Sequence, residues 1–263
     1  MKIEKTEEKV IDKLTTYNKA DICTIEGLKY PVILRQNTLD KFVANEIFEN
    51  KFYDVSMKNS RHYDNYVEEY NVRKPKYIID AGGNIGLAAI FFAVNYPDAQ
   101  IITIEPDSDN YFLLCENVKY YKNIRTINGA VWDKQTEVCI SNRKQAVWDN
   151  GTLNAGKYIV DEAEISNERY VPAFTVDYLI EKYGIDTIDI LKMDVEGAER
   201  EIFSGGHEKW LPKVKILVIE HHDFYKPGST KALFKALSDY EFHFFYDHSN
   251  NNLENMMFFF DNH

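Results

Sequence analysis

The stretch Asp80-Ala81-Gly82-Gly83-Asn84-Ile85-Gly86 constrains this chain more than any other. The apolar run Tyr77-Ile78-Ile79 leads into an acid, a glycine-rich turn follows, and Leu87–Phe92 is apolar with helical character. That order reads as strand, tight turn and helix. Glycines allow a sharp bend and let a ligand approach the backbone closely. The first turn of the helix leaves N–H groups free. Such a unit opens an α/β sheet and marks a small-molecule site.

Alternation continues downstream. Gln100–Ile104 reads as a strand ending at Glu105-Pro106, 108–121 as a helix capped by Asp107 or Ser108, and 124–131 as a third strand. Repeated β-α-β order predicts a parallel sheet with right-handed crossovers. Residues 133–174 break the rhythm and read as an inserted antiparallel pair, 137–140 with 169–174, carrying a long polar loop. Loops of that length often act as lids or binding loops. Trp148 in this loop either stacks on a substrate ring or packs the loop down. A helix over 175–183, a strand over 188–194, a short helix from Ala198, a strand over 214–219 and a helix over 229–239 follow. Strands at 241–247 and 255–261, joined by an Asn-rich turn, must be antiparallel.

Ahead of the glycine turn, residues 1–19 read as an amphipathic helix and 21–36 as a hairpin turning at Gly27. A helix then runs from Asp40 to about Asn50. Tyr63, Tyr66 and Tyr70 share a helical face that suits packing onto the core. Residues 1–72 therefore form an N-terminal α+β extension, a substrate cap or a dimer contact that would make a homodimer. Residues 73–263 form the main domain.

With a net charge of −11, the chain lacks the basic surface of a general nucleic-acid binder, though a cationic ligand remains compatible. Cys23, Cys115 and Cys139 have no metal-type spacing and read as reduced thiols. The charged start has no signal-peptide run, and no apolar stretch approaches membrane-spanning length. These features predict a cytoplasmic protein without membrane insertion.

In open α/β sheets ligands bind beyond the carboxyl ends of the strands, at the switch point. After the first strand, the dinucleotide fingerprint would need glycine where Asn84 and Leu87 stand. The acid-x-Gly-x-x-x-Gly loop of S-adenosylmethionine (SAM) enzymes fits instead. After the second strand, Glu105 can accept hydrogen bonds from both ribose hydroxyls. Asn128-Gly129-Ala130 after the third leaves room for an adenine ring. After the fourth, Lys192-Met193-Asp194-Val195-Glu196-Gly197-Ala198-Glu199 crowds three carboxylates and a lysine into one turn, candidates for acid–base work or ligand contact. Glu196 and Glu199 also suit the start of the next helix. After the fifth comes Glu220-His221-His222, where only one histidine can face the site. Asp194, Glu220 and a histidine could bind a divalent metal, but the spacing matches no signature, and a metal-free site is expected.

The Asp80–Gly86 loop, Glu105-Pro106, Lys192–Glu199 and Ile219-Glu220-His221, with the upstream Leu34–Asp40 and Tyr53, resemble the FkbM family of class I SAM-dependent methyltransferases over roughly residues 30–260. The resemblance implies a Rossmann-like, mostly parallel seven-stranded sheet ending in an antiparallel hairpin. It also implies SAM held by Asp80, Gly82, Asn84, Gly86 and Glu105. The activity implied is methyl transfer to a hydroxyl of a sugar, nucleotide-activated or in a surface polysaccharide, or of another natural product. His221 is the first choice of base and Asp194 the second, assisted by Lys192. Glu196, Glu220 and Trp148 are assigned to the substrate. Two other readings, a nicotinamide-dependent oxidoreductase and a non-catalytic SAM-binding module, are disfavoured by the glycine spacing and by the acids at several strand ends respectively.

Overall fold

The computed structural model describes residues 2–11, 13, 19–55, 74–141, 159–162, 170–223, 226–246 and 255–260. Tyr63, Tyr66, Tyr70 and Trp148 lie outside them. The chain opens with β1 (Ile3–Val10), β2 (Lys19–Ile25) and β3 (Val32–Arg35), an antiparallel three-stranded sheet. The hairpin is as expected, but the helix expected over 1–19 is replaced at Ile3–Val10 by a strand. Ile3 and Val10 are seven residues apart, a helical spacing, with only charged residues and Thr6 between them. Pairing with β2, reinforced by Thr6 Oγ1 donating to the Ile22 carbonyl at 2.9 Å and by Lys5–Asp21 at 2.7 Å, overrides that weak period. The expected helix follows as α1 (Asp40–Phe48).

Then comes the alternating unit: β4 (Tyr77–Ala81), α2 (Leu87–Asn95), β5 (Gln100–Glu105), α3 (Ser108–Val118) and β6 (Ile124–Asn128). Asp107 caps α3 by accepting from the Asp109 and Asn110 amides. The third strand, expected to run to 131, breaks at Gly129, where a side chain would lie 2.6 Å from the Pro172 carbonyl oxygen. Beyond the break, β7 (Ala130–Val131) leaves the central sheet. It joins β8 (Thr136–Ser141), β9 (Ile159–Glu162) and β10 (Tyr170–Phe174) in a second sheet of order β7-β10-β8-β9. The expected pairing of β8 with β10 is there, antiparallel.

The chain closes with α4 (Val176–Tyr183), β11 (Ile188–Met193), α5 (Glu199–Ser204), β12 (Val214–Glu220), α6 (Ser229–Leu237), β13 (Phe242–Tyr246) and β14 (Asn255–Phe260). The central sheet has seven strands in the order β13-β14-β12-β11-β4-β5-β6. Five are parallel, and β14 and β13 form the antiparallel hairpin at one edge. Alternate residues feed opposite cores: Ile78, Ile101 and Ile190 pack with α2, α3 and the N-terminal sheet, while Ile79, Ile102 and Leu191 pack with α4 to α6. Burial on both faces explains the near-continuous apolar runs.

α2 is apolar all round, and Leu87 through Ala93 are buried. A surface helix would show a polar face. Here the N-terminal segment covers the outer side: Phe48 and Tyr53 place their rings 6.3 and 6.0 Å from Phe91 and Phe92. A buried amide fastens the segment down. Asn117 accepts from the Ile33 amide at 2.7 Å and donates to the Ile33 and Ile85 carbonyls at 3.2 and 2.8 Å. Asn117→Leu strands these buried groups and should cost about 2–3 kcal/mol in urea unfolding.

Candidate active site at the carboxyl end of the sheet

The strand order reverses between β4 and β11, since β5 and β6 lie to one side and β12 to the other. That is the switch point where an open sheet leaves a crevice. A cleft of about 470 Å³, open to solvent, sits there. Gly82, Asn84 and Glu105 line one side, Ala130 and Val131 another, and Asp194 and Glu196 a third.

The glycine turn is built for close approach. Gly82, Asn84 and Gly86 all have positive φ, at 83°, 47° and 90°. The amides of Gly82 and Gly83 both donate to the Ile104 carbonyl, at 3.0 and 2.9 Å. A Cβ on Gly82 would fall 1.7 Å from the Asp194 carbonyl oxygen. Glycine at this position thus lets the turn after β4 lie against the turn after β11. The Asp194 amide donates back to the Ala81 carbonyl at 3.0 Å.

Glu105 is buried at the end of β5. Its Oε2 accepts from the Asn84 amide at 2.8 Å and its Oε1 from the Asp107 amide at 2.8 Å. Asn110 Nδ2 also approaches Oε1, at 3.4 Å, and the carboxylate stands on the cleft wall. The remaining expected cofactor residues stand behind this wall. Asp80 is fully buried, taking a hydrogen bond from Thr103 Oγ1 at 2.7 Å and ion-paired with Lys192 Nζ at 3.1 Å. Gly86 packs against Leu114 and Val118. Asn128 donates to the Glu105 and Pro106 carbonyls, and the Gly129 amide to the Glu105 carbonyl. These residues shape the cleft rather than line it; Ala130 does line it.

Arg35 supports the same wall from the N-terminal segment. Its guanidinium is held by both Asp40 oxygens, at 2.8 and 2.7 Å. It reaches Asn110 Oδ1 at 2.6 Å and Asn84 Oδ1 at 3.3 Å. Burial opposes its charge, and Asp40, Glu105 and Asp109 hold its pKa above the ordinary value.

Lys192, expected to assist the base, is buried. Its Nζ donates to the Gly82 carbonyl at 2.6 Å, is ion-paired with Asp80 at 3.1 Å, and lies 3.7 Å from Asp194. Burial pulls its pKa down, but the Asp80 charge more than offsets this and holds it above the usual lysine value. It is a fixed cation bracing the glycine turn, not a proton acceptor.

On the chemical side the structure brings in His222, not His221. Glu220 and His222 are two residues apart at the end of β12 and share a side, whereas His221 points away, with Nδ1 3.8 Å from Asp223. His222 is buried. Its Nδ1 lies 2.8 Å from Glu199 Oε1, and its Nε2 lies 3.6 to 3.7 Å from Asp194, Glu196 and Glu220. Glu196 reaches the group from a left-handed turn, φ 52°, ahead of Gly197 at 99°. Burial works against a charged His222, but the Glu199 hydrogen bond and the surrounding carboxylates raise its pKa to about 10. Glu199, fully buried, belongs to this group rather than only to the start of α5. The signal for His222 was available: Glu220 and His221 cannot both face one site.

This is the architecture of a class I SAM-dependent methyltransferase. Residues 80–249 match the methyltransferase FkbM domain, and the chain belongs to that family. It is 23% identical over 251 residues to methyltransferase sdnD of Sordaria araneosa, covering 84% of this chain and 87% of that one. It is 27% identical over 154 residues to 2-O-methyltransferase NoeI of Sinorhizobium fredii, covering 56% of this chain and 63% of that one. Among solved structures, SAM-bound fibrillarin of Aeropyrum pernix aligns over 98% of this chain and 100% of that one, at 13% identity and a TM-score of 0.44. SAM is the cofactor, and the cleft suits it: its acidic lining, Glu105, Asp194 and Glu196, is complementary to a cationic ligand. No helix among the described residues is long and apolar enough to cross a membrane.

Two outcomes follow. Arg35→Met leaves Asp40 buried and unpaired and should cost about 3–5 kcal/mol in denaturant unfolding. Adding Asp40→Leu should restore stability but not SAM affinity, since the Asn84 contact stays lost; calorimetric titration reads the difference. His222 has a folded pKa above its unfolded one. Its stabilising contribution is therefore full below about pH 6.5 and is lost as pH rises through about 10. Thermal melts without divalent cations should show this fall, and His222→Gln should flatten it.

Proposed function

We propose that the protein methylates a hydroxyl oxygen of a sugar. The observation carrying this reading is the pair of carboxylates, Asp194 and Glu196, that lines the cleft opposite Gly82 and Glu105, with Glu220 gathered beside them about His222. Carboxylates accept hydrogen bonds from polyols and repel anions. They favour a neutral glycoside or polysaccharide unit over a nucleotide-activated sugar whose diphosphate would lie against them. The relative named as a 2-O-methyltransferase supports oxygen as the acceptor atom. A hydroxyl of another natural product is the second reading.

Bound SAM supplies a sulfonium methyl that an acceptor oxygen displaces in line. Gly82, Asn84 and Glu105 would hold the nucleoside part, and Ala130 would leave room for the base. A hydroxyl is a weak nucleophile, so its proton must leave as the new bond forms. Asp194 lines the cleft and is the carboxylate placed to take it. His222 stands beside these carboxylates and orients them instead. His221 has no part in this scheme. Glu196 and Glu220 would bind the acceptor's other hydroxyls. The N-terminal segment and the second sheet would frame the acceptor's side of the cleft.

Mass spectrometry of glycosides and nucleotide sugars incubated with protein and SAM should show a gain of one methylene on a neutral glycoside. Methylation confined to nitrogen or carbon acceptors would sink the proposal. Asp194→Asn should lower kcat about 10²–10⁴-fold while leaving SAM affinity within a few-fold.

A further inference from the structure

We propose that Asp194, Glu220 and His222 form a divalent-cation site at the carboxyl ends of β11 and β12. Each offers one ligand atom, and the three atoms all lie within 4.8 Å of one another. His222 Nε2 is 3.6 Å from Asp194 Oδ1 and 3.7 Å from Glu220 Oε1. Those separations exceed direct hydrogen-bond lengths. They are close to the roughly 3–3.5 Å between two donors that each sit about 2.0–2.2 Å from one ion. The two histidine–carboxylate pairs are thus near ligand spacing, and the whole set, within 4.8 Å, would contract around a metal.

The histidine is presented as metal-binding histidines are. Its Nδ1 is held at 2.8 Å by Glu199, and both side chains are buried. An outer carboxylate of this kind fixes the ring's orientation and tautomer and turns Nε2 toward the metal. The donors also stand on rigid supports. β11 and β12 pair in register up to Met193 and Ile219, one residue short of Asp194 and Glu220.

Charge points the same way. Glu196 Oε2 lies 3.6 Å from the same Nε2, so four carboxylates gather about one imidazole. Lys192 approaches Asp194 at 3.7 Å but is paired more closely with Asp80 at 3.1 Å. Lys226 is paired with Glu201 at 2.9 Å. One nitrogen with two carboxylate oxygens suits Mn²⁺ or Zn²⁺ better than Ca²⁺, which takes oxygen alone. The expectation of a metal-free site rests on the lack of a spacing signature, which ligands drawn from the ends of two separate strands do not produce.

Asp194 lines the cleft, so the ion would face it with positions left open. Resting on the O-methylation reading, such an ion would hold the acceptor oxygen and lower its pKa, with the hydroxyl proton passing to the Asp194 oxygen that the ion does not hold.

The test uses the full chain, stripped with chelator and titrated with MnCl₂ while free Mn²⁺ is followed by electron paramagnetic resonance. ZnCl₂ is titrated in parallel by calorimetry. One Mn²⁺ per chain is expected. Glu220→Gln, a half-buried change that leaves the core intact, should weaken binding at least tenfold, as should Asp194→Asn. Exposed Glu137→Gln on β8 should leave it unchanged. Absence of saturable binding of either ion at millimolar concentration would overturn the proposal, as would binding that Glu220→Gln and Asp194→Asn leave intact. SAM affinity measured on the same samples reports on the cofactor wall alone, so failure of the methyltransferase reading is seen separately.

Discussion

The contact between Gly82 and the Asp194 carbonyl is the constraint on which the rest depends. With no Cβ at 82, the turn after β4 and the turn after β11 touch across the switch point. The Asp194 amide and the Lys192 ammonium then tie the two turns together through the Ala81 and Gly82 carbonyls. In the proposed function, cofactor binding and acceptor chemistry sit on opposite sides of that contact. The fold sets their separation by a backbone clash limit rather than by flexible side chains.

Two supports keep the contact in register. Beneath it, Asp80, Lys192 and Thr103 form a buried polar cluster joined by the Thr103 hydrogen bond and the Lys192 ion pair. Its charges are buried and spent on one another and on the Gly82 carbonyl, which braces the turn. Beside it, Arg35 brings the N-terminal segment into the cofactor wall through Asn84 and Asn110. Together with the Asn117 clamp and the aromatic cover on α2, this makes the first β-sheet part of the enzyme's frame.

Much of this was legible in the sequence, for a physical reason. Parallel strands buried on both faces read as apolar runs such as Ile78-Ile79 and Ile190-Leu191. The acids that end them, with the glycines of the first turn, mark the ligand edge. Three things were not legible. β1 carries almost no apolar signal and owes its form to its partner strand. Lys192 and Asp80 read as site residues because a sequence does not tell a buried pair from an exposed one. His221 was preferred to His222 although side-chain alternation pairs Glu220 with His222. Arg35 stood in a recognisable segment, but its reach to Asn84, 49 positions on, is a tertiary fact.

The account rests on a division of labour, with the nucleoside held on the Gly82–Glu105 side and chemistry done on the Asp194–His222 side. A crystal structure with S-adenosylhomocysteine tests it most directly. The account predicts the ribose hydroxyls on Glu105, with the sulfur facing the Asp194 carboxylate across the cleft. A nucleoside bound away from Glu105, or a sulfur directed away from Asp194, would contradict it.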